Sequence, residues 1–247
     1  MAANSRSPSE RRPPSSEASG ADRSALALVW YRVVQCVMAV LISSFYGLRI
    51  TGRRNLPERG AAILVSNHLS HLDSFVLGIL LHRPLNYVAR STLFLPGLGA
   101  FIRSVGGYPI QREGLGASGM KETFRRLRNG GLVTLFPEGT RTHDGDLGEI
   151  KPGIALLASR AKVSVIPAAI AGTYESWPRS RVLPSTHPIR VHFGPLIPSA
   201  ELIGRDPAAV TATIRDRMLA TQDVARWGLA GDRGSRLHAL PDRSELD

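Results

Sequence analysis

The residues most able to do chemistry lie in segment 66–73, which reads SNHLSHLD. It places His68 and Asp73 five positions apart, directly after the apolar run 61–65. Five residues correspond to about 500° of α-helix, so the two side chains could not share one face of a single helix. If they touch, His68 lies in a strand-to-helix turn and Asp73 in the first helical turn. The carboxylate would then hold Nδ1–H of the imidazole, leaving Nε2 to remove a proton as a general base.

Two other interpretations of segment 66–73 stay open. His71 could also reach Asp73 and would then compete with His68 as the active histidine. Alternatively, the segment is only the N-cap region of the following helix and carries a solvated histidine. The segment by itself does not decide between a catalytic pair and a helix cap.

The elements that must position this pair follow from the alternation of apolar runs and turn residues. Strands are predicted at Ala61–Val65, Leu85–Ala89, Tyr108–Ile110, Leu132–Phe136, Val163–Ile170 and Ile189–Phe193. Helices are predicted at Ser74–Leu81, Gly119–Asn129, Gly153–Ala161 and Ala208–Ala220. Strands and helices in this order are typical of the α/β class, and we expect a mainly parallel central sheet covered by helices.

Four segments divide the chain by composition. Residues 1–23 are rich in Ser, Pro, Arg and Glu, and we predict that they are disordered. Residues 24–50 form an apolar, membrane-associating helical segment whose best apolar window is shorter than the roughly 20 residues needed to cross a bilayer upright. Spanning, tilted, re-entrant and interfacial arrangements all stay open. The catalytic domain is predicted at 51–225, and residues 226–247 are predicted to form a loose C-terminal tail.

The formal charge of +11 lies almost entirely between the two terminal segments, whose own basic and acidic residues nearly cancel. A basic folded surface suits polyanions, including anionic lipid headgroups and the phosphates of coenzyme A. Nucleic acid is the poorer choice, because the chain has few aromatic residues and no recognisable nucleic-acid-binding motif. The single cysteine, Cys36, excludes a disulfide within the chain and a cysteine-based zinc site, and we expect no bound metal.

Three later sequence blocks favour the catalytic interpretation of segment 66–73. Residues 106–112 read GGYPIQR, residues 135–141 read LFPEGTR and residues 165–170 read VIPAAI. Together with segment 66–73, in this order and at this spacing, they resemble the four sequence blocks of the glycerophospholipid acyltransferases. The resemblance covers roughly residues 50–200.

The chain departs from the family pattern at three positions. Pro109 stands where the second block usually carries Phe, and Glu113 stands where a basic residue is common. Thr142 replaces the usual Ser at the end of the third block and keeps its hydroxyl group. The first two departures concern the acceptor side of the site, so they bear on the identity of the acceptor more than on the type of reaction.

Residues 135–141 can be interpreted from their own sequence as well as from the family resemblance. Residues 137–141 follow a predicted strand and form a tight turn, in which Gly139 supplies conformational freedom and backbone N–H groups can be presented together with Thr140. The resemblance implies that Glu138 contacts the glycerol of the acceptor and Arg141 its phosphate. It also implies that Arg112 is a second phosphate ligand. Arginine suits this role because its guanidinium group can bind two phosphate oxygens at once.

The reaction that the resemblance implies is acyl transfer from a thioester to a hydroxyl group. An alcohol needs a base at the moment of attack, whereas a thiolate leaves readily. No Gly-x-Ser-x-Gly sequence is present, so we expect direct attack by the acceptor, with His68 as base and Asp73 as its orienting partner. The expected acceptor is a lysophospholipid, most of all lysophosphatidate, giving phosphatidate. The donor would be acyl-CoA or acyl carrier protein, with no bound cofactor, at the cytoplasmic face of the cell membrane.

Several alternatives stay open at this stage. Within the same fold, the acceptor could be glycerol 3-phosphate, another lysolipid or an ornithine lipid. A non-catalytic lipid-binding module could retain the fold, although the intact His68, Asp73, Glu138 and Arg141 speak against it. A thioesterase would use water in place of the alcohol and would need no arginines for a phosphate.

Overall fold

A seven-stranded sheet lies at the centre of the computed structural model, which describes residues 24–81, 83–110 and 116–237. In chain order the strands are β1 (Arg49–Thr51), β2 (Ala62–Ser66), β3 (Leu85–Arg90), β4 (Gly107–Ile110), β5 (Leu132–Leu135), β6 (Ser164–Ala171) and β7 (Arg190–Phe193). Their spatial order is β1-β7-β6-β2-β5-β3-β4. The five strands from β6 to β4 run parallel, while β7 is antiparallel to β6 and parallel to β1. The prediction of a mainly parallel sheet is confirmed.

Helices cover both faces of this sheet. They are α1 (Ala25–Tyr46), α2 (Asp73–Leu80), α3 (Leu98–Ser104), α4 (Gly116–Arg128), α5 (Gly153–Ala161), α6 (Thr173–Ser176) and α7 (Pro207–Leu237). The apolar core on one face includes residues of α1 and α2, and the core on the other face includes residues of α4, α5 and α7. The fold is therefore a three-layer α/β arrangement, as the sequence pattern indicated.

The central strand β2 explains why two cores form. All five of its residues are buried, as expected for an interior strand of a parallel sheet with helices on both faces. Because side chains alternate along a strand, Ile63 and Val65 enter one core, whereas Ala62 and Leu64 enter the other. A continuous apolar run is therefore required here, and residues 61–65 supply it.

The carboxyl end of β2 is fixed to its neighbour by one side chain. Asn67 donates from Nδ2 to the carbonyl oxygen of Ile170 at 2.9 Å and accepts at Oδ1 from the N–H of Ile170 at 2.8 Å. Both contacts are buried, so the amide continues the pairing of β2 with β6 one residue beyond the strand. This contact holds the start of the following turn, which contains His68, at the edge of the sheet where α/β sites usually lie.

Three elements escaped the sequence prediction, namely β1, α3 and α6. The C-terminal prediction was wrong in part: residues 226–237 are not loose but continue α7 to Leu237. Arg226 stabilises this extension by donating to the carbonyl oxygen of Gly145 at 2.7 Å and to Asp146 Oδ1 at 2.6 Å. Ala225 and Leu229 are also buried against Ala residues of β6. Residues 1–23 and 238–247, for which disorder or a loose tail was predicted, lie outside the described residues.

Helix α1 is the apolar segment predicted for residues 24–50. It has 22 residues and is, by length and composition, the one helix of the described chain that could cross a membrane. Ser24 caps its start by accepting a hydrogen bond from the N–H of Ala27, and Gly47 ends it with a left-handed backbone. One side of α1 packs on the domain, while most of its surface stays exposed.

Candidate active site

His68 and Asp73 meet where β2 leads into α2. β2 ends at Ser66 and α2 begins at Asp73, so the two residues lie at opposite ends of one short turn. Nδ1 of His68 is 2.9 Å from Oδ2 of Asp73. The side chains thus adopt the arrangement that segment 66–73 suggested, with the carboxylate on Nδ1. The catalytic role of the pair stays a prediction.

The carboxylate of Asp73 accepts hydrogen bonds from three donors besides His68. Its Oδ2 accepts from the backbone N–H groups of Leu69 and Ser70, each at 2.7 Å, in addition to contacting His68. Its Oδ1 accepts from the hydroxyl of Thr173 at 2.8 Å. The side chain is fully buried, so these donors replace the water that an ionised carboxylate would otherwise require. Its orientation toward His68 is therefore built into the folded chain.

The imidazole of His68 has one free side. The ring stacks on Phe136 at 4.0 Å between centroids, with 16° between the planes. Its Nδ1 is occupied by Asp73, and no hydrogen bond to Nε2 is present in the part of the chain that the structure describes. The side chain is 22% exposed. Nε2 is thus the nitrogen available to a hydroxyl group that enters from outside.

His71, the competing histidine, does not bind Asp73 in this arrangement. Its ring lies 5.1 Å from that of Trp177 at a tilt of 47°, and the residue is exposed. Partial burial, followed by repulsion from the Arg141 and His68 charges, lowers the pKa of His71. Of the two histidines, His68 alone has a carboxylate on its Nδ1 among the described contacts.

Glu138 supports the backbone of His68. Its Oε1 accepts from the N–H of His68 at 2.8 Å, and its Oε2 accepts from the N–H of Gly148 at 2.9 Å. The residue is only 5% exposed, and burial raises the pKa of its carboxyl group despite these two donors. The resemblance implied a contact with the acceptor glycerol, but in this structure both oxygens already hold main-chain groups.

The turn after β5 is completed by a glycine in a left-handed conformation. Gly139 has φ of 70°, and a Cβ at this position would lie 3.0 Å from Nζ of Lys151. A larger residue would therefore strain the backbone and crowd the lysine. Thr140 is exposed beside it, and the N–H of Thr142 donates to the carbonyl oxygen of His68 at 2.8 Å. The turn is consequently tied to the segment that carries the histidine.

Arg141 has a buried guanidinium nitrogen, Nη1, that finds no hydrogen-bond partner in the described part of the chain. Desolvation, followed by the charges of Arg179 and Arg90, lowers the pKa of Arg141. Arg90 ends β3, and Arg179 lies 3.3 Å from His143 through its own guanidinium group. The charges of Arg179 and Arg90 thus both act on Arg141, and none of the three arginines is in an ion pair among the described residues.

Arg112, the second phosphate ligand implied by the resemblance, lies outside the described residues. Sequence reasoning missed Arg90, which ends β3, and Thr173, which follows β6, both at the same edge as His68; it also missed Arg179, which comes after α6. The position of Arg90 and Thr173 after predicted strands was a usable signal, because carboxyl ends of parallel strands meet at one edge. No group of three or more His, Cys, Asp or Glu side chains in the described chain is arranged to hold a metal ion.

The arrangement has the parts that an acyl transfer to an alcohol needs. It combines an oriented histidine whose Nε2 is accessible with Arg141, whose buried Nη1 has no hydrogen-bond partner among the described residues. The histidine can accept the proton of a hydroxyl group, and the guanidinium group can bind a phosphate.

Comparison with known proteins identifies the family of this chain. A family model described as Acyltransferase matches residues 47–171. The 1-acyl-sn-glycerol-3-phosphate acyltransferase of Bacillus subtilis is 29% identical over 144 residues, covering 58% of this chain and 71% of that protein. The human 1-acyl-sn-glycerol-3-phosphate acyltransferase beta is 30% identical over 183 residues, covering 72% of this chain and 66% of that protein.

A solved structure shares the fold. The crystal structure of the 1-acyl-sn-glycerophosphate (LPA) acyltransferase PlsC from Thermotoga maritima superposes with a TM-score of 0.70. The two are 21% identical, and the match covers 86% of this chain and 83% of the other. With the family model spanning half of its length, the chain belongs to the acyltransferase family.

Proposed function

We propose that this member of the acyltransferase family transfers an acyl chain from a thioester donor to the free hydroxyl group of lysophosphatidate, giving phosphatidate. The donor is acyl-CoA or acyl carrier protein. Relatives from bacteria and humans named as 1-acyl-sn-glycerol-3-phosphate acyltransferases support this acceptor. The enzyme works at the membrane that contains the acceptor, on its cytoplasmic face.

His68 is the general base of the proposed reaction. As the acceptor oxygen attacks the thioester carbonyl carbon, Nε2 of His68 takes the hydroxyl proton. The tetrahedral intermediate collapses with cleavage of the C–S bond, and the departing thiolate recovers the proton from the imidazolium. Asp73 stabilises that imidazolium and keeps Nδ1 protonated, which its 2.9 Å contact supports. Positioned base catalysis of this kind contributes about 10² to 10⁴ in rate.

The observation that carries the choice of acceptor is the unpartnered Nη1 of Arg141. A buried guanidinium nitrogen without a hydrogen bond is costly, and a phosphate oxygen would satisfy it. Arg90 and Arg179 add charge that one arginine–phosphate pair would not need. This excess favours a phosphate monoester, which can carry two negative charges, over the phosphodiester of a larger headgroup.

We propose that an apolar crevice against α2 receives acyl-chain carbons of the substrates. A narrow crevice between α1, α2 and α3 is lined by apolar side chains that include Met38, Phe75, Ile79 and Phe101. Ser74, the neighbour of Asp73, also lines it. The crevice therefore offers an apolar surface on α2, the helix that begins at Asp73, as a lipid substrate requires.

Membrane attachment through α1 is proposed to be interfacial. Gln35 donates to the carbonyl oxygens of Gly78 and Leu81, each at 2.8 Å, and Trp30 donates to Ser104 at 2.9 Å. Nearer the other end of α1, Ile42 is buried in the same core as α2. An upright span would carry these packed parts of the domain into the hydrocarbon, so α1 lies in the plane of the interface.

Thioester consumption by the detergent-purified chain tests this function. The acceptor panel should include lysophosphatidate, glycerol 3-phosphate, a lysophosphodiester lipid and an ornithine lipid. Acyl-CoA and acyl carrier protein should be compared as donors with each acceptor. We expect the highest kcat/KM with lysophosphatidate and no consumption above background without an acceptor.

Each competing function has its own result in this assay. Equal thioester cleavage with and without acceptor would indicate a thioesterase. Preference for an acceptor without a phosphate monoester would contradict the role given to Arg141. Lysolipid binding without turnover under any donor would leave only a lipid-binding module.

A further inference from the structure

A loop beside the candidate active site exposes two large aliphatic side chains. Between α6 and β7, the side chains of Val182 and Leu183 are 86% and 73% exposed. Isolated exposed apolar residues are common, but two adjacent ones at a loop tip put a continuous apolar surface into water. Residues 178–189 therefore present an apolar tip, formed by Val182 and Leu183, that the described chain leaves uncovered.

Hydrogen bonds hold this tip in place. The N–H of Ser185 donates to the carbonyl oxygen of Ser176 at 2.8 Å, which closes the loop at its base. Arg181 donates to Oγ of Ser185 at 2.6 Å, and its own carbonyl oxygen accepts from Nε1 of Trp177 at 3.1 Å. With its backbone fixed on both sides, the apolar tip cannot easily fold back onto the domain.

The charged residues nearest the apolar tip in sequence are basic, and the acidic Glu175 lies at the base of the loop, where its carbonyl oxygen accepts from Arg181 at 3.3 Å. No Asp or Glu occurs between Glu175 and Glu201, whereas Arg179 and Arg181 precede Val182 directly. Both arginines are exposed. An apolar tip with adjacent cations and no nearby carboxylate in sequence is complementary to a bilayer that carries anionic headgroups.

The loop also lies on the same side of the sheet as α1. The N–H of Ile189, at the end of the loop, donates to the carbonyl oxygen of Tyr46 at the end of α1. Trp177 packs against the same apolar core as Met38 and Ile42 of α1. The loop that carries the apolar tip is thus joined at its base to the end of α1 and to the core under that helix.

We propose that the apolar tip is a second membrane contact, in which Val182 and Leu183 enter the interface of an anionic bilayer while Arg179 and Arg181 remain at headgroup level. This inference rests on the proposed function, because a second contact would hold the candidate active site at the level of the membrane where a lipid acceptor lies. Ser70 donates to the carbonyl oxygen of Trp177 at 2.7 Å, so the loop base is joined to the dyad turn. Two contacts, α1 and the apolar tip, would fix the orientation of the domain.

A fluorescent label at the apolar tip tests the proposal directly. The full chain carries only Cys36, so C36A/L183C accepts a single environment-sensitive dye such as NBD. The matched control is C36A/I203C, because Ile203 is also exposed but adjoins Leu202 of the opposite core. The probe is a vesicle of phosphatidylcholine mixed with anionic phosphatidylglycerol, with or without a nitroxide quencher on the acyl chains.

We expect a blue shift and nitroxide quenching for the label at position 183 and neither change at position 203. An unshifted label at 183 on vesicle-bound protein overturns the proposal, as does failure of the labelled protein to bind vesicles. A shift that appears without vesicles, on adding carrier protein or on raising the protein concentration, would assign the tip to a protein partner instead.

A second variant guards against a label that disturbs the loop. V182S/L183S should lower vesicle affinity about tenfold or more, since each aliphatic side chain contributes on the order of 1 kcal/mol or more when it leaves water. Its turnover of a short-chain, monomeric lysophosphatidate should stay at the wild-type level. Unchanged vesicle affinity of V182S/L183S overturns the membrane contact. Absence of turnover by the wild-type protein with every acceptor would instead overturn the proposed function.

Discussion

The turn that carries His68 and Asp73 differs from the region around Arg141 in how many of its buried polar atoms make hydrogen bonds. At the turn between β2 and α2, Asp73 accepts hydrogen bonds from His68, two backbone N–H groups and Thr173. Arg141, three residues after Glu138, has a buried Nη1 with no hydrogen-bond partner in the described chain. After burial, the charges of Arg179 and Arg90 lower the pKa of Arg141 most, and the charge of Asp73 raises it.

This contrast separates catalytic geometry from ligand binding. A proton acceptor must be oriented before the substrate arrives, so its supporting groups are satisfied by the protein itself. A site for an anion must keep its donors free until the anion binds, at some cost in stability while it is empty. Under the proposed function, the hydrogen-bonded Asp73 would serve the reaction, and the unsatisfied Arg141 would bind the phosphate.

The largest expected effect is a loss of kcat when His68, in the hydrogen-bonded turn between β2 and α2, is replaced. His68→Ala should lower kcat by about 10² or more, because the base that takes the hydroxyl proton is lost. The matched control is His71→Ala, three positions away, which removes a histidine that does not bind Asp73. Rates should be measured with lysophosphatidate at saturating donor, with circular dichroism to verify folding.

Retention of more than about a tenth of the wild-type rate by His68→Ala would contradict its role as base, given the factor expected for such catalysis. Loss of activity in His71→Ala with His68→Ala active would keep the chemistry and transfer it to the other histidine. Activity in both variants would mean that the hydrogen-bonded turn is structural.

The next effect concerns the region around Arg141. Arg141→Ala should raise KM for lysophosphatidate about 10- to 150-fold, the equivalent of losing a charge-assisted hydrogen bond, while KM for the donor changes little. Arg141→Lys should recover only part of this loss, because a lysine cannot bind two oxygens in a fixed plane. If the donor KM rises instead, the arginine binds the phosphates of the coenzyme.

A comparison of folding stability tests the contrast without any substrate. Asp73→Asn should lower the free energy of unfolding by about 1–3 kcal/mol, since an amide N–H₂ would face donors inside a buried site. Arg141→Ala should change it by less than about 0.5 kcal/mol, because its buried nitrogen loses no partner. Urea denaturation of both variants would measure this, and an equal loss in both would abolish the distinction.

Most of the fold could be predicted from apolar periodicity. Each predicted strand matches an observed one within one residue at either end, because apolar runs such as residues 61–65 fill both cores at once. β1 was missed because Arg49–Thr51 is short, exposed at both ends and ordered by pairing with β7. The end of α7 was missed because Arg226 obtains its partners from a loop 80 residues away in sequence.

The candidate site could be predicted only where it is local in sequence. The His68–Asp73 spacing and the turn at Glu138 are contained in short segments, so their types and order were informative. Thr173 lies 100 residues from the carboxylate that it supports, and only the topology of β2 and β6 brings the two together. The resemblance had already favoured His68 over His71, and the coordinates add that Nδ1 of His68 is the one in contact with Asp73.

His71 supplies the smallest expected effect, through the pH dependence of stability. Burial, then the Arg141 charge, holds its pKa below its ordinary value of 6.5. The unfolded chain therefore binds this proton at a higher pH than the folded chain, so stability is lost as the pH falls below about 6.5. His71→Gln should flatten the decline in the free energy of unfolding between about pH 7 and pH 5. Arg141→Ala should flatten it partly, because repulsion from that unpaired cation is one of the causes. Urea denaturation at several pH values measures both slopes, and an unchanged slope in His71→Gln would show that other groups control the decline.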